Sequence, residues 1–431
     1  MIFTPHPSLS RLKLPLLAAF LLLLGGCATL SRDGGFGAVA NVAKERLAKD
    51  AQWVRSESDA DGVQAIVKKL LAQPLTVDDA IQVALLNNRG LQATYAELGI
   101  AEADLVQASR LRNPVFGYTN VRGGGAQKIE RSLGFDFLQF LTIPLAKRIE
   151  SRRLEQTKLL VANEVLRIAA ETRKAYFQAV AAQQNVLYAE QVKTAAEASA
   201  QLAERMARVG NFSKLDQARE QVFYADAAAQ FARAQQMAKS EREKLTRFMG
   251  LWGEYTRFQL PERLPALPAT PPELQDLEAF AMAERLDIQA ARRQSEALAS
   301  SLGLTKATRF INVLELGPAQ IRETSEPVRN GFQISLEVPL FDWGGARIAR
   351  SEAIYMQSVN RLAETAVNAR SEVRTTYSDY IVTYDLAKHY RDEVVPLRKK
   401  ISDELLLRYN GMLASVFELL ADSREQVASV N

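Results

Sequence analysis

Side chains able to do chemistry are few in this chain, and they are spread thinly. Of two histidines only His389 lies beyond the first 26 residues, with no HxxxH or HExxH partner around it. It therefore reads as a helix-surface residue and not a metal ligand. The single cysteine, Cys27, excludes a disulfide framework and any cysteine-based zinc site. Met206, Met237, Met249, Met282, Met356 and Met412 are too scattered for a thioether relay and read as packing. Gly123-Gly124-Gly125 is not followed by the lysine and hydroxyl residue of a phosphate loop. Acids occur in pairs at i,i+4, Asp216 with Glu220 and Glu418 with Asp422, a spacing that shares one helix face. No group of residues assembles a nucleophile, a general base or a metal site, so an enzyme is the least favoured class.

Composition narrows the field further. The 431 residues are 47% apolar and 24% charged, which excludes wholesale disorder. With 54 basic against 50 acidic side chains, there is no electrostatic reason to expect nucleic acid. The N-terminus reads as a secretory signal over residues 1–26. Arg11 and Lys13 precede an apolar run, Leu14 to Leu24, too short to span a bilayer as a helix. It ends in Leu24-Gly25-Gly26-Cys27, which resembles the lipobox of bacterial lipoproteins. That likeness implies a diacylglycerol and an amide-linked acyl chain on Cys27, enough for stable anchoring. Ala28 follows where an aspartate would oppose sorting to the outer membrane. No other cofactor is expected.

The elements that position these residues follow from where Gly and Pro are missing. Leu145 to Val209 contains neither and is dominated by strong helix formers. Such a run could extend about 100 Å. Asn211 to Met249, Glu273 to Leu302 and Ala346 to Val395 are equally free of both. A narrow Ala-rich stripe (Ala169, Ala175, Ala179, Ala182) suits close helix packing. Between the helical runs, Leu133, Phe135 and Phe137 alternate with Gly134 and Asp136, and the run is expected to stop at Pro144. Phe332, Ile334, Leu336 and Val338 alternate with Gln333, Ser335 and Glu337 up to Pro339. A membrane strand beside a wet lumen has this pattern, and so does a soluble half-buried strand. Four such strands cannot close a barrel around a pore without other subunits.

The two halves match in order. Ala84-Leu85-Leu86-Asn87-Asn88-Arg89-Gly90-Leu91 aligns with Ala281 to Ile288, and Ile143-Pro144-Leu145 with Val338-Pro339-Leu340. Arg148-Ile149 aligns with Arg347-Ile348, and Arg208-Val209-Gly210 with Arg408-Tyr409-Asn410-Gly411. Each half reads as helix, hairpin, long helix, glycine turn, helix. The organisation expected is a lipidated segment over 27–74, a first repeat over 75–250, a Pro-rich linker over 251–275 and a second repeat over 276–431.

From Leu75 onward the chain resembles the outer-membrane efflux protein family, the TolC-like channels. The resemblance rests on Leu75-Thr76-Val77-Asp78-Asp79-Ala80, Asn113-Pro114 before the first strand, and Val338-Pro339-Leu340-Phe341-Asp342 with Gly344-Gly345. The tip turns, Gly210-Asn211-Phe212-Ser213 and Arg408-Tyr409-Asn410-Gly411, also look like the family's. Leu86-Asn87-Asn88-Arg89 together with the lipobox look most like lipoprotein channels of tripartite pumps, heavy-metal exporters included.

The resemblance implies a mainly α fold with a small β part: a long α-helical coiled-coil barrel plus four membrane strands per protomer, internally duplicated. Three copies would share a twelve-stranded barrel in the outer membrane and a tunnel through the periplasm of a Gram-negative cell. The partners implied are a periplasmic adaptor and an inner-membrane transporter, with metal ions or drugs as cargo and no nucleic acid. Asp216, Glu220, Glu418 and Asp422 would then be pore-constriction candidates. Gly210, Phe212, Gly411, Met412 and Leu413 would be adaptor contacts. Tyr118, Phe137, Phe140, Phe341 and Trp343 suit an interfacial girdle. Three departures stand out. Phe417 falls where the first half has Asp216, Pro396 predicts a kink or break in the helix, and the last helix is expected to be half-length with the usual tail missing. A lipid-anchored coiled-coil adaptor or structural protein is the rival reading.

Overall fold

The structure is a computed structural model that describes residues 29–271, 276–311 and 313–430. The signal segment and Cys27 lie outside the described residues, as does Pro272 of the linker. The described chain is mainly helical with one four-stranded antiparallel sheet. Helices α1 (Phe36–Leu47), α2 (Glu57–Leu71), α3 (Val77–Asn87) and α4 (Arg89–Ala108) lead into strands β1 (Val115–Gly123) and β2 (Ala126–Asp136). Helix α5 (Phe137–Arg208) turns back into α6 (Lys214–Phe248). After the linker come α7 (Leu277–Glu284), α8 (Leu286–Ala307), β3 (Leu314–Glu323), β4 (Arg329–Leu336), α9 (Gly345–His389), α10 (Val395–Asn410) and α11 (Val416–Val430). The two halves even break at aligned points. Asn88 separates α3 from α4 at φ −65°, ψ 117°, and Arg285 separates α7 from α8 at φ −66°, ψ 123°.

Two compact units form. Among the described residues, one comprises Tyr95–Val161 and Arg285–Val367 with residues 29–39; the other comprises Ala40–Thr94, Ala162–Glu284 and residues 368–430. The first holds the sheet, in strand order β1-β2-β3-β4. Gly124 and Gly125, both at positive φ, close the first hairpin with the two-residue turn that matches strand twist. The hairpins from the two halves join through β2 and β3. That join is tight: a Cβ on Gly317 would lie 1.6 Å from the Leu133 carbonyl oxygen. Here the β2–β3 ladder skips two positions, beside Pro318, whose missing N–H could not have joined it.

The second unit has a conventional apolar core. Val63 and Val67 of α2, Leu75, Val83 and Leu86 around α3, Tyr176 and Val180 of α5, and Leu245, Met249 and Phe258 pack together. Thr76 caps α3 by accepting from the Asp79 N–H at 3.1 Å, while Leu75 N–H donates to the Gln259 carbonyl at 2.8 Å. Asn87 and Asn88 act as a clasp on the C-terminus of α6. The Asn87 amide donates to the carbonyls of Met249 (3.0 Å) and Gly250 (2.8 Å), and that of Asn88 to Phe248 (2.8 Å). Asn88 Oδ1 also accepts from the Leu91 N–H at 3.0 Å, opening α4. A helix C-terminus leaves such carbonyls without intrahelical partners, so the clasp answers a definite need.

Two expectations require correction. The period-two run does not reach Phe137, which begins α5; Asp136 caps that helix by accepting from the Gln139 N–H at 2.9 Å. Pro144 lies inside α5 and does not mark its start. The irregularity expected at Pro396 is present, just ahead of the proline. A π-helical turn at Tyr390–Val394 joins α9 to α10 and leaves Pro396 in the first turn of α10, where its missing N–H is tolerated.

Gly317→Ala is expected to abolish assembly of the sheet, because the obstructing atom is backbone and cannot move aside. Gly331→Ala, with open space around it, should be tolerated. Far-ultraviolet circular dichroism and heat-modifiable gel mobility would separate the two variants. Asn88→Ala should cost about 1–3 kcal/mol by stranding the Phe248 carbonyl and the Leu91 N–H, read as a lowered thermal midpoint.

Candidate functional site

Two helical hairpins in the second unit carry the acids singled out by the sequence, α5–α6 and α10–α11. Each second helix opens on a serine cap with an acid three residues on, and the second of them is a full capping box. Ser213 Oγ accepts from the Asp216 N–H at 3.1 Å and donates to the Asp216 carboxylate at 2.6 Å. Ser415 Oγ accepts from the Glu418 N–H at 3.2 Å, and the Glu418 carboxylate accepts from the Ser415 N–H at 2.8 Å. Asp216 also pairs with Arg219 at 3.0 Å.

Glu220 and Asp422 sit one turn further along and are buried, at 7% and 9% exposure. Each carboxylate accepts from a serine on the opposite helix of its own hairpin. Ser199 donates to Glu220 at 2.5 Å, and Ser402 donates to Asp422. The two hairpins thus repeat one pattern, a cap acid followed by a buried acid. This corrects the alignment read from the sequence: Glu418, not Phe417, is the counterpart of Asp216. Phe417 instead stacks on Phe212, ring centroids 4.3 Å apart and planes 12° apart, bringing the two hairpin tips together.

The tips differ in one respect. Gly210 adopts the left-handed conformation at φ 82° that its turn requires. In the second hairpin Gly411 has φ −81°, and Met412 takes the left-handed position at φ 56°. A methionine held there carries backbone strain, and it is 94% exposed beside Leu413 at 82%. His389 lies at the end of α9, exposed, with Nδ1 3.3 Å from Glu393. Among the described residues no cluster of three or more metal-ligating side chains occurs.

In the first unit, register assigns every strand residue to one of two faces. One face places Phe116, Leu133, Pro318 and Phe332 in a row across all four strands, with Phe135, Leu316 and Ile334 in the next row. The other face places Gly117, Ser132, Gly134, Gly317, Gln333 and Ser335 around a shallow concavity. Phe116 and Phe332 are largely exposed, as are Val338, Leu340 and Phe341 beyond the last strand. Strands β1 and β4 each pair on one side only. Among the described residues no helix is long and apolar enough to cross a membrane.

Comparison with known proteins places these features. No family model matches the chain. It is 28% identical over 283 residues to the cobalt-zinc-cadmium resistance protein CzcC of Cupriavidus metallidurans, a match to 62% of this chain. The chain spans about 63% of that relative's length. Among solved structures, the outer-membrane channel OprN superposes with a TM-score of 0.66 at 20% identity, covering 88% of each chain. The outer membrane protein VceC of Vibrio cholerae gives a TM-score of 0.65 at 16% identity, over 82% of this chain and 90% of that one. These likenesses bear out the resemblance read from the sequence: the chain has the TolC-like fold of the outer-membrane efflux channels.

Met412→Gly should raise the thermal midpoint by an amount equivalent to about 1 kcal/mol, by relieving the left-handed strain. An unchanged or lowered midpoint in a thermal melt would show that the turn carries none.

Proposed function

We propose that the chain is the outer-membrane channel of a tripartite efflux system. It would conduct cargo passively from a periplasmic pump-adaptor complex to the exterior. The observation that supports the reading is the sheet: four strands, one face with exposed apolar rows, one face dominated by small and polar residues, and two unpaired edges. In hydrocarbon every backbone group needs a partner, so such a sheet is viable only when closed. An even number of alternating strands leaves β1 and β4 antiparallel to each other. The β1 edge of one copy can therefore continue the β4 edge of the next without changing the ladder type. That is a heterologous contact, the kind that forms a ring when its rotation closes. Three copies would give the twelve-stranded barrel that the resemblance implies.

Anchoring by an acylated Cys27 belongs to the same reading. The protein would be held at the outer membrane and extend into the periplasm. The resistance named for CzcC, to cobalt, zinc and cadmium, favours divalent metal ions as cargo. At the periplasmic end, Asp216 and Glu418 would be the acids that form charged rings. Glu220 and Asp422, buried within their hairpins, would hold the helices together. Met412 and Leu413 offer the exposed apolar surface an adaptor's helical hairpin would cover.

The full chain, extracted in detergent after correct lipid processing, tests this by native mass and planar-bilayer conductance. The expected result is a trimer that conducts, with Asp216→Asn and Glu418→Gln together weakening its preference for cations. A monomer without conductance would overturn the reading.

A further inference from the structure

The face of the sheet that carries the apolar rows does not stay apolar along its length. Toward the hairpin turns, register places Tyr118, Arg131, Gln320 and Asn330 in the next row, then Asn120, Ile129 and Arg322, then Arg122 and Gln127. Arg122, Arg131 and Arg322 therefore share the apolar face, beginning one row beyond Phe116 and Phe332. At about 3.4 Å per residue, the three fall within a band some 14 Å deep. All three are exposed. The strand positions on this face carry no aspartate or glutamate.

The opposite face at the same level is built differently. There Lys128 pairs with Glu130 at 2.5 Å and Arg329 with Glu323 at 2.6 Å, so bases are neutralised within the chain. The asymmetry is chemical and not a matter of net charge. Bases on one face have acids beside them, and those on the other have only amides, with Gln127 donating to Asn120 at 3.1 Å and Gln320 to Asn330 at 2.9 Å.

We propose that Arg122, Arg131 and Arg322 form a docking surface for the phosphate groups of a phosphorylated glycolipid in the outer leaflet. The proposal rests on the channel reading above, because it takes the apolar rows to lie in hydrocarbon. An arginine one row above hydrocarbon extends its guanidinium to the headgroup level while its methylenes stay on the apolar surface. Guanidinium pairs with phosphate through two parallel hydrogen bonds, which amides cannot match. Repetition around a closed barrel would make the band continuous. It would set the depth at which the barrel sits and retain a shell of lipid.

The test uses the full-length assembled protein and lipid A bearing two phosphates, with the monophosphorylated form and inorganic phosphate as separate arms. Native mass spectrometry reads the lipid retained per assembly. The wild type should retain diphosphorylated lipid A at least tenfold more tightly than an R122Q/R131Q/R322Q variant, and the monophosphorylated form more weakly than the diphosphorylated one. Inorganic phosphate should compete poorly. A K128Q/R329Q variant, altered on the opposite face, should retain as much lipid as the wild type. Mass and conductance of the triple variant keep the two readings distinct. A triple variant that assembles, conducts and still retains lipid like the wild type overturns this proposal alone. A wild type that neither assembles nor conducts overturns the channel reading and the lipid surface with it.

Discussion

Backbone hydrogen bonding at the two outer edges of the sheet is the constraint from which the rest of the molecule follows. Strands β1 and β4 each have one partner, while their apolar side chains point away from any core of this chain. In water such edges invite indiscriminate pairing. In hydrocarbon each unpaired group would cost several kcal/mol. In the proposed channel, closure by further copies would remove both problems at once, and it would make sense of the glycines and serines on the face that would line the lumen. Gly117, Gly134 and Gly317 thin the wall where a lumen would run, and Gly317 in particular lets two backbones approach within a distance no side chain permits. In the proposed channel the sheet takes its shape from the assembly.

The helical part answers a different demand. Long helices with a narrow alanine stripe bury little apolar surface per turn, so their ends and joints must be held by specific polar contacts. The Asn87-Asn88 clasp closes the end of α6 and starts α4 with two adjacent side chains. The Ser213 cap and the Ser415 capping box begin α6 and α11. Buried carboxylates at Glu220 and Asp422 are satisfied by Ser199 and Ser402 across each hairpin. A carboxylate in such a place is tolerable only because a donor meets it. Duplication of the whole pattern shows that one structural solution was used twice.

Much of this was legible in the sequence, and the remainder was hidden for physical reasons. The absence of Gly and Pro marked the long helices, and alternation over Phe332 to Leu336 marked β4. Alternation misled at Phe137, because Phe135 and Phe137 continue the period while the Asp136 cap ends the strand between them. Pro144 looks like a boundary, since proline removes a helix hydrogen bond, yet a long helix with other support absorbs one such loss. The burial of Glu220 and Asp422 was invisible because their serine partners lie about 20 residues earlier, on the first helix of each hairpin. Spacing of i,i+4 could show a shared face but not which way that face points. The one-residue offset that paired Phe417 with Asp216 had the same origin: the cap serines, and not the glycines, set the register of the second helix.

The most direct measurement of the central claim is backbone amide exchange along β1 and β4 in the lipid- or detergent-embedded protein. If the edges are joined to neighbouring copies, alternate amides that point away from β2 and β3 will exchange as slowly as those inside the sheet. Rapid exchange at those outward amides, in a particle with the mass of one chain, would contradict the account.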